Sequence, residues 1–197
     1  MLIDTNSPFY AAVAIGSTKV TGMVGRVDSE GAVNVLSYVA VSSADFIRKG
    51  RVYNVDKMTQ CLKNIRKRLE DQINCDIKQV YVALNCQGMR SITHIEERTF
   101  PQRITVQQEL IESLKADNRD KISHDQILID TLPLEYTMGA FSTIEPVGVM
   151  TDRIRAQFLN IVCNASAIET IESCFRKAGL PIVRHTMAAD RLANVMT

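Results

Sequence analysis

A short polar segment near the N-terminus has the composition of a phosphate-binding turn. Gly16, Ser17, Thr18 and Lys19 supply one glycine, two hydroxyls and one cation between two apolar runs. Because glycine carries no side chain, the backbone N–H groups of such a turn can approach phosphate oxygens closely. The same residue types are common in ordinary β-hairpin turns. The segment alone therefore leaves both interpretations open.

Residues 46–70 form a strongly basic stretch, in which only Asp56 and Glu70 are acidic. A cationic helix face can attract anionic lipid or an acidic partner, although such a face is more often simply solvated. Few aromatic residues accompany the charges, so we expect no nucleic-acid partner. The basic residues are Arg48, Lys49, Arg51, Lys57, Lys63, Arg66, Lys67 and Arg68.

A third candidate surface lies in residues 136–150, where turn formers alternate with apolar side chains. Functional residues are often carried by loops on a rigid scaffold. The segment is either a partner-binding surface or a loop whose side chains fold back onto their own sheet. The candidate partner-binding residues are Phe141, Ile144, Pro146, Val147 and Gly148.

Other chemistry finds no support in the residue spacing. No Ser-His-Asp or Cys-His constellation is present, and the carboxylates form no recognisable acid/base pair, so we predict no catalytic residue. The five cysteines contain no CxxC pair and the three histidines lie far from them, which predicts free thiols and no metal site. The cysteines are Cys61, Cys75, Cys86, Cys163 and Cys174.

The composition is that of an ordinary globular protein. The chain has 197 residues and 22.0 kDa, with 46% hydrophobic and 23% charged residues. Its net charge of +1 argues against a surface built throughout to neutralise nucleic-acid phosphates. The N-terminus has no signal-peptide pattern, and the longest strongly apolar run, 10–15, is too short to span a membrane. We expect a soluble, cytoplasmic chain.

Hydrophobic periodicity predicts the elements of the first half. Apolar runs at 11–15 and 20–27 and a run of period two at 33–41 are joined by short turns, which indicates an antiparallel three-stranded meander. In the third run, odd-numbered residues 33–41 are expected on one face. A stripe of apolar residues then predicts a helix over 56–73, capped by Asn54, and a strand follows at 79–84.

The second half begins at residues 85–88, where the pattern changes. A capping box at 105–108 predicts a helix to residue 118, followed by strands at 127–132 and 154–163. A second capping box at 166–169 predicts a helix that ends near Gly179. A strand at 181–184 and another helix at 188–196 complete the expected order.

Several segments together resemble a known family. Residues 14–20, Ala-Ile-Gly-Ser-Thr-Lys-Val, are similar to the first phosphate loop of the actin-like ATPase superfamily. The later segments follow in an order that resembles the N-terminal half of the FtsA family of bacterial cell-division proteins. These segments are 47–56, 80–84, 145–148, 153–157 and 178–182.

The resemblance implies an α/β (α+β) fold: a partial actin-like, ribonuclease H-like subdomain interrupted by an inserted strand-helix-strand-strand domain. Residues 1–84 and 164–197 would form the partial first subdomain, and 85–163 the insert. FtsA proteins tether FtsZ filaments to the cytoplasmic side of the inner membrane at the division site. They also polymerise, and they recruit late division proteins partly through the insert. ATP and Mg²⁺ are the implied cofactors.

The chain also departs from the family pattern. Ala14 stands where the family has an acidic residue, so we expect at most weak ATPase activity in the parent protein. The second phosphate loop, the FtsZ-binding subdomain and the membrane-binding helix are missing. We therefore expect a fragment that is not an enzyme and binds no cofactor by itself. The alternatives are a PilM-like pilus-assembly homologue that binds a peptide of a membrane partner, and a truncated ATP-dependent kinase.

Overall fold

The computed structural model describes residues 9–187, which fold into two compact units. The first contains the described residues up to Gly88 and from Ser166 onward, and the second comprises Met89–Ala165. The described strands are β1 (Phe9–Ile15), β2 (Lys19–Val27), β3 (Val33–Ser42), β4 (Ile47–Arg48), β5 (Arg51–Val52), β6 (Val80–Leu84), β7 (Arg90–Thr105), β8 (Gln126–Met138), β9 (Phe141–Thr143), β10 (Met150–Asn164) and β11 (Ile182–Met187). The helices are α1 (Val55–Ile73), α2 (Gln108–Asp120) and α3 (Ala165–Lys177).

The first unit is built on a five-stranded sheet of order β11-β6-β1-β2-β3. The predicted meander is confirmed, because β1 pairs antiparallel with β2 and β2 with β3. Strand β6 lies parallel to β1, and β11 lies parallel to β6. The mixed sheet arises because β1–β3 are linked by short turns, whereas α1 and α3 precede the parallel strands β6 and β11.

The face predicted for β3 is only half right. Ser37 and Val39 are buried as expected, but Val33 and Val35 are exposed. The register between β2 and β3 shifts at this point, since Val24 pairs with Ser37 while the next residue of β2 pairs with Val35. A β-bulge of this kind reverses the alternation of side chains along the strand.

Helix α1 forms where its apolar stripe predicts, with its buried side chains packed against β2 and β3. The Asn54 side chain accepts a hydrogen bond from the Lys57 N–H at 2.9 Å, which confirms the predicted cap. The helix ends at Asn74, whose left-handed backbone (φ 51°) lets its N–H donate to the Glu70 carbonyl. The buried stripe consists of Met58, Thr59, Cys61, Leu62, Ile65 and Leu69.

The packing of α1 on the sheet depends on a glycine in β2. A Cβ atom at Gly22 would overlap Ile65 Cγ2 and lie 2.9 Å from Leu69 Cδ1. We expect Gly22→Ala to lower the free energy of unfolding by about 1–3 kcal/mol, because overpacking forces these side chains to move. Urea denaturation of the chain measures this loss. In an Ile65→Ala background the same substitution should cost less than half as much, and an equal cost would contradict the packing argument.

Glu70 ties the end of α1 to the following turn. Burial by itself raises the pKa of the Glu70 carboxyl, but hydrogen bonds from the Arg66 side chain and the Ile77 N–H, with the charge of Arg66, outweigh it and hold the pKa below its ordinary 4.5. The Arg66 guanidinium also donates to the Gly179 carbonyl at 2.8 Å. The carboxylate therefore joins α1, the turn after it and the turn after α3.

The lowered pKa predicts an acid-dependent loss of stability. Because the folded-state pKa is below the unfolded one, the Glu70 contribution is complete above about pH 4.5 and is lost as pH falls through the folded-state pKa. We expect Glu70→Gln to cost about 1 kcal/mol at neutral pH and to weaken the acid dependence in that range. Chemical denaturation from pH 3 to 7 tests this; a variant with the unchanged pH dependence would refute it.

Helix α3 ends as its sequence predicts. Gly179 adopts φ 70°, and the Leu180 N–H donates to the Phe175 carbonyl at 3.0 Å, which closes the helix. The capping box predicted at 166–169 is wrong. The helix begins at Ala165, so Ser166 lies inside its first turn and is not the N-cap. Strand β11 confirms the predicted strand at 181–184, and the predicted helix at 188–196 lies outside the described residues.

The second unit combines a four-stranded antiparallel sheet of order β7-β10-β8-β9 with α2. Tyr136 and Phe158 meet edge to face, with ring centroids 6.1 Å apart, at the centre of its core. The predicted capping box at 105–108 is wrong, because Thr105 ends β7 and α2 begins at Gln108 after an N-cap residue that makes no side-chain cap bond. The strands predicted at 127–132 and 154–163 are longer, at Gln126–Met138 and Met150–Asn164.

The sequence predicts that all five cysteines are free thiols, and this prediction is wrong for two of them. Cys86 and Cys163 are disulfide-bonded, whereas Cys61, Cys75 and Cys174 are free. Burial raises the pKa of the Cys61 thiol to about 11, so this side chain behaves as a small apolar group. Residue spacing does not reveal which thiols are oxidised, because a disulfide requires a specific Cα–Cα distance that only the folded chain sets.

Candidate functional site

The polar turn Gly16–Lys19 connects β1 to β2. The Gly16 N–H donates to the Lys19 carbonyl at 3.0 Å and closes the hairpin tightly. The residues are thus a hairpin turn, as one interpretation of the sequence had it. That geometry does not remove the other interpretation, because the N–H groups of Ser17 and Thr18 have no hydrogen-bond partner within the described part of the chain.

Three of the turn's four carbonyl groups, those of Gly16, Thr18 and Lys19, accept hydrogen bonds from the protein itself. The buried Ser43 hydroxyl donates to the Gly16 carbonyl at 2.7 Å, and the Ser43 N–H donates to the Thr18 carbonyl at 3.1 Å. The Lys19 carbonyl accepts from Gly16. The N–H groups of Ser17 and Thr18 then outnumber the one remaining carbonyl, that of Ser17, so the partial charge that the turn presents is positive. This is the electrostatic character that a phosphate or carboxylate ligand requires.

A cavity of about 340 Å³ opens beside the turn, lined by residues 14–19, Thr21 and Asn85. Its lining contains no carboxylate, and position 14 carries only the methyl group of Ala14. Mg²⁺ prefers oxygen ligands and is usually held by one or two carboxylates together with phosphates. Within residues 9–187 no group of three His, Cys, Asp or Glu side chains could hold a metal ion. The lining therefore fits the phosphates of ATP and does not fit Mg²⁺.

The basic stretch, which looked uniform in sequence, divides into two parts. Lys63, Lys67 and Arg68 are exposed on α1, as expected of a solvated helix face. Arg48, Lys49 and Arg51 are exposed as well, but they line a separate cavity of about 290 Å³ together with Tyr53 and Gln87. Sequence reasoning missed this grouping, because it treated residues 46–70 as one surface.

Strands β4 and β5 form the hairpin that carries these three cations. Lys49 (φ 49°) and Gly50 (φ 73°) occupy its two-residue turn, and positive φ at both positions is the mark of a type I′ turn. The Gly50 N–H donates to the Ser17 hydroxyl at 2.8 Å, and the Gly50 carbonyl accepts from the Gln87 N–H at 3.1 Å. The hairpin is thus hydrogen-bonded directly to the Gly16–Lys19 turn.

The candidate partner surface of the second unit is only partly accessible. Phe141, Ile144 and Val147 expose 53%, 67% and 53% of their surface, and Gly148 is also exposed. Pro146 is buried, so it supports this surface from beneath and is not available to a partner. Burial of Pro146 agrees with a loop that folds back onto its own unit, whereas the binding of a partner by the exposed residues stays a prediction.

No family model matches the chain, but curated proteins do. It is 26% identical over 189 residues to the cell division protein FtsA of Buchnera aphidicola subsp. Schizaphis graminum, covering 92% of this chain and 44% of that protein. It is 30% identical over 166 residues to FtsA of Porphyromonas gingivalis, covering 82% and 34%. It is 24% identical over 189 residues to FtsA of Escherichia coli K12, covering 92% and 43%. The resemblance to FtsA proteins is confirmed, and the chain spans less than half the length of these relatives.

A solved structure supports the fold. A chain of the PilM–PilN type IV pilus biogenesis complex superposes with a TM-score of 0.55 at 15% identity, covering 90% of this chain and 47% of that one. At this identity the likeness concerns architecture alone, and the fold is actin-like. None of the helices described in residues 9–187 has the length and apolarity needed to traverse a bilayer.

Proposed function

We propose that this chain acts in bacterial cell division as FtsA proteins do, as a scaffold and not as an enzyme. In this proposal the parent protein links FtsZ filaments to the cytoplasmic side of the inner membrane at the division site and associates with its own copies. The observation that carries the proposal is the sequence similarity to FtsA of three species over 82–92% of the chain. Residues 1–84 and 164–197 then serve as a partial actin-like subdomain, and 85–163 as the insert.

The proposed role of the first unit is to bind nucleotide phosphates. The free N–H groups of Ser17 and Thr18 and the ammonium group of Lys19 would hold the phosphates of ATP, while Gly16 keeps the turn compact. The cavity lining carries no carboxylate that could act as a general base or orient an attacking water. This supports a binding role and not catalysis, and it disfavours a kinase.

The proposed role of the second unit is to recruit late division proteins. Phe141, Ile144 and Val147 present apolar side chains on one short segment, and Pro146 and Gly148 shape its backbone. The Gly148 N–H donates to the Val106 carbonyl at 2.8 Å, which fastens the segment to the core of the unit. A fixed apolar surface of this kind suits a short peptide from a partner protein.

Surface plasmon resonance with the immobilised chain tests this role. The analytes are the cytoplasmic segments of the organism's own membrane-bound division proteins. We expect one of them to bind and Ile144→Ser with Val147→Ser to weaken it about tenfold or more. Leu134→Ser is the matched control, since Leu134 is also exposed in this unit (42%) but lies on β8. Binding that Leu134→Ser abolishes and the double variant leaves intact would refute the proposed surface.

A second candidate is a pilus-assembly role, which the structural likeness to a PilM–PilN complex favours. In that case the chain would bind a peptide from a membrane protein of pilus assembly. The same binding experiment separates the two, when peptides from pilus-assembly membrane proteins are included beside those from division proteins. Binding confined to the pilus peptides would replace the cell-division proposal.

A further inference from the structure

Three cations of the β4–β5 hairpin have no anionic partner in the described part of the chain. Arg48, Lys49 and Arg51 form no ion pair with any described residue, in contrast to Arg66 on α1, which pairs with Glu70. Three exposed cations within four residues repel each other, and an anion bound among them would lessen that repulsion. Among residues 9–187 that relief is missing, so an external anion would stabilise the hairpin.

The hairpin is held in place without that anion. The Arg48 guanidinium lies 5.6 Å from the centroid of the Tyr53 ring, a cation–π geometry. The Tyr53 hydroxyl donates to the Ala44 carbonyl at 3.0 Å, and the Tyr53 N–H donates to the Phe46 carbonyl at 3.0 Å. The backbone that carries the cations is therefore preorganised, which reduces the entropy that a ligand must remove.

One glycine links the hairpin cavity to the cavity of the phosphate-binding turn. Gly50 donates to Ser17, which lines the turn cavity, and accepts from Gln87, which lines the hairpin cavity. A Cβ atom at Gly50 would lie 2.7 Å from the Asn85 carbonyl oxygen, and Asn85 lines the turn cavity as well. Hydrogen bonds through Gly50 thus connect a residue that lines the turn cavity, Ser17, to one that lines the hairpin cavity, Gln87.

Taken together, the two linings carry Lys19, Arg48, Lys49 and Arg51 and no carboxylate. We infer that this chain binds a nucleoside polyphosphate without a divalent metal ion, and that the hairpin cations neutralise the charge that Mg²⁺ would otherwise neutralise. This inference rests on the proposed phosphate-binding role of the turn and extends it to the hairpin.

A polyphosphate fits these linings better than an acidic peptide does. The turn offers two N–H donors and hydroxyl groups at adjacent residues, a set suited to several oxygens on one phosphorus. The two arginines add planar guanidinium groups, which bind phosphate oxygens in pairs. An isolated side-chain carboxylate would use few of these donors at once.

Isothermal titration calorimetry of the 197-residue chain tests the inference, with ATP and inorganic triphosphate as ligands. Each is titrated in the presence of Mg²⁺ and in EDTA at the same ionic strength. We expect EDTA to leave the ATP affinity unchanged or to raise it, because free ATP carries more negative charge than its Mg²⁺ complex. If inorganic triphosphate bound as tightly as ATP, the chain would recognise the phosphates and not the base. If ATP bound more tightly than triphosphate, the ligand would be a nucleotide.

Charge-matched variants identify the residues. Replacing Arg48, Lys49 and Arg51 together by Gln should weaken ATP binding in EDTA about tenfold or more, since charge-assisted hydrogen bonds are lost. The control variant replaces three exposed cations of α1 by Gln and should change the affinity by less than about twofold, because distant exposed charges are screened. Those control residues are Lys63, Lys67 and Arg68. Thermal unfolding of each variant verifies that it folds.

The outcomes separate this inference from the proposal on which it rests. The inference would be overturned if ATP binding required Mg²⁺ or if the hairpin variant bound ATP as tightly as the native chain. In either case the proposed role of the turn would stand if Lys19→Gln weakened ATP binding. The inference would also be overturned if the native chain bound a polyglutamate peptide more tightly than triphosphate and the hairpin variant lost that binding. Failure of the native chain to bind either phosphate ligand would overturn both.

Discussion

Gly50→Ala should lower the free energy of unfolding by about 3 kcal/mol, because its backbone conformation and its close neighbours both oppose a side chain. Gly50 adopts φ 73°, a conformation that costs an L-residue about 1 kcal/mol or more. Its Cβ atom would also lie 2.7 Å from both the Asn85 carbonyl oxygen and the Gln87 nitrogen. Because these are backbone atoms, they cannot move aside as a flexible side chain could.

Gly31→Ala is the matched control for this prediction. Gly31 has a similar φ of 82°, but nothing lies within 4 Å of the position that its Cβ would occupy. Its substitution should therefore show the backbone cost alone, about 1 kcal/mol. Urea denaturation of both variants measures the difference. If both variants lost the same free energy of unfolding, the close approach of the hairpin to residues 85–87 would add nothing to the cost of Gly50→Ala. That result would also contradict the proposed link between the two cavities.

Asn160→Ala should destabilise the second unit by about 3 kcal/mol, because it leaves buried polar groups without partners. Asn160 and Asn118 are both fully buried and exchange two hydrogen bonds, of 2.8 and 2.7 Å between their side-chain amides. The Thr131 hydroxyl donates to the same Asn160 oxygen at 2.9 Å. Truncation at 160 removes all three bonds at once.

A double-mutant cycle provides the control. Asn118→Ala alone should also be costly, but adding it to Asn160→Ala should cost little more, since its partner has already gone. We expect a coupling energy of about 1 kcal/mol or more between the two positions, measured by chemical denaturation. Strictly additive losses would show that the amide pair is not acting as a unit.

This polar pair also explains how the second unit selects one register. Asn118 lies on α2, Asn160 on β10, and Thr131 is the residue of β8 that pairs with Asn160 in the sheet. A slip of β10 by one residue would move Asn160 to the other face of the sheet and leave Asn118 unsatisfied. The same slip would move Ile154, Ala156 and Phe158 off the buried face, so the amide pair and the apolar core specify the same register.

Local patterns in the sequence determined most of the secondary structure. The meander β1–β3, the bounds of α1 with its Asn54 cap, and the Gly179 end of α3 depend on residues close together in the chain, and periodicity and capping chemistry report such interactions directly. The resemblance to FtsA proteins also came from the sequence, because it rests on the order of short segments. The predicted caps were wrong because β7 extends to Thr105, into the predicted box at 105–108, and because α3 begins at Ala165, one residue before Ser166.

Only the tertiary structure decided which of these residues share a site. It brought Gly50 against Ser17 and residues 85–87, separated the hairpin cations from those of α1, and buried Pro146 while leaving Ile144 and Val147 exposed. It also distinguished the disulfide-bonded cysteines from the free ones. These features join residues far apart in the chain, and their geometry depends on packing against backbone that no local pattern describes.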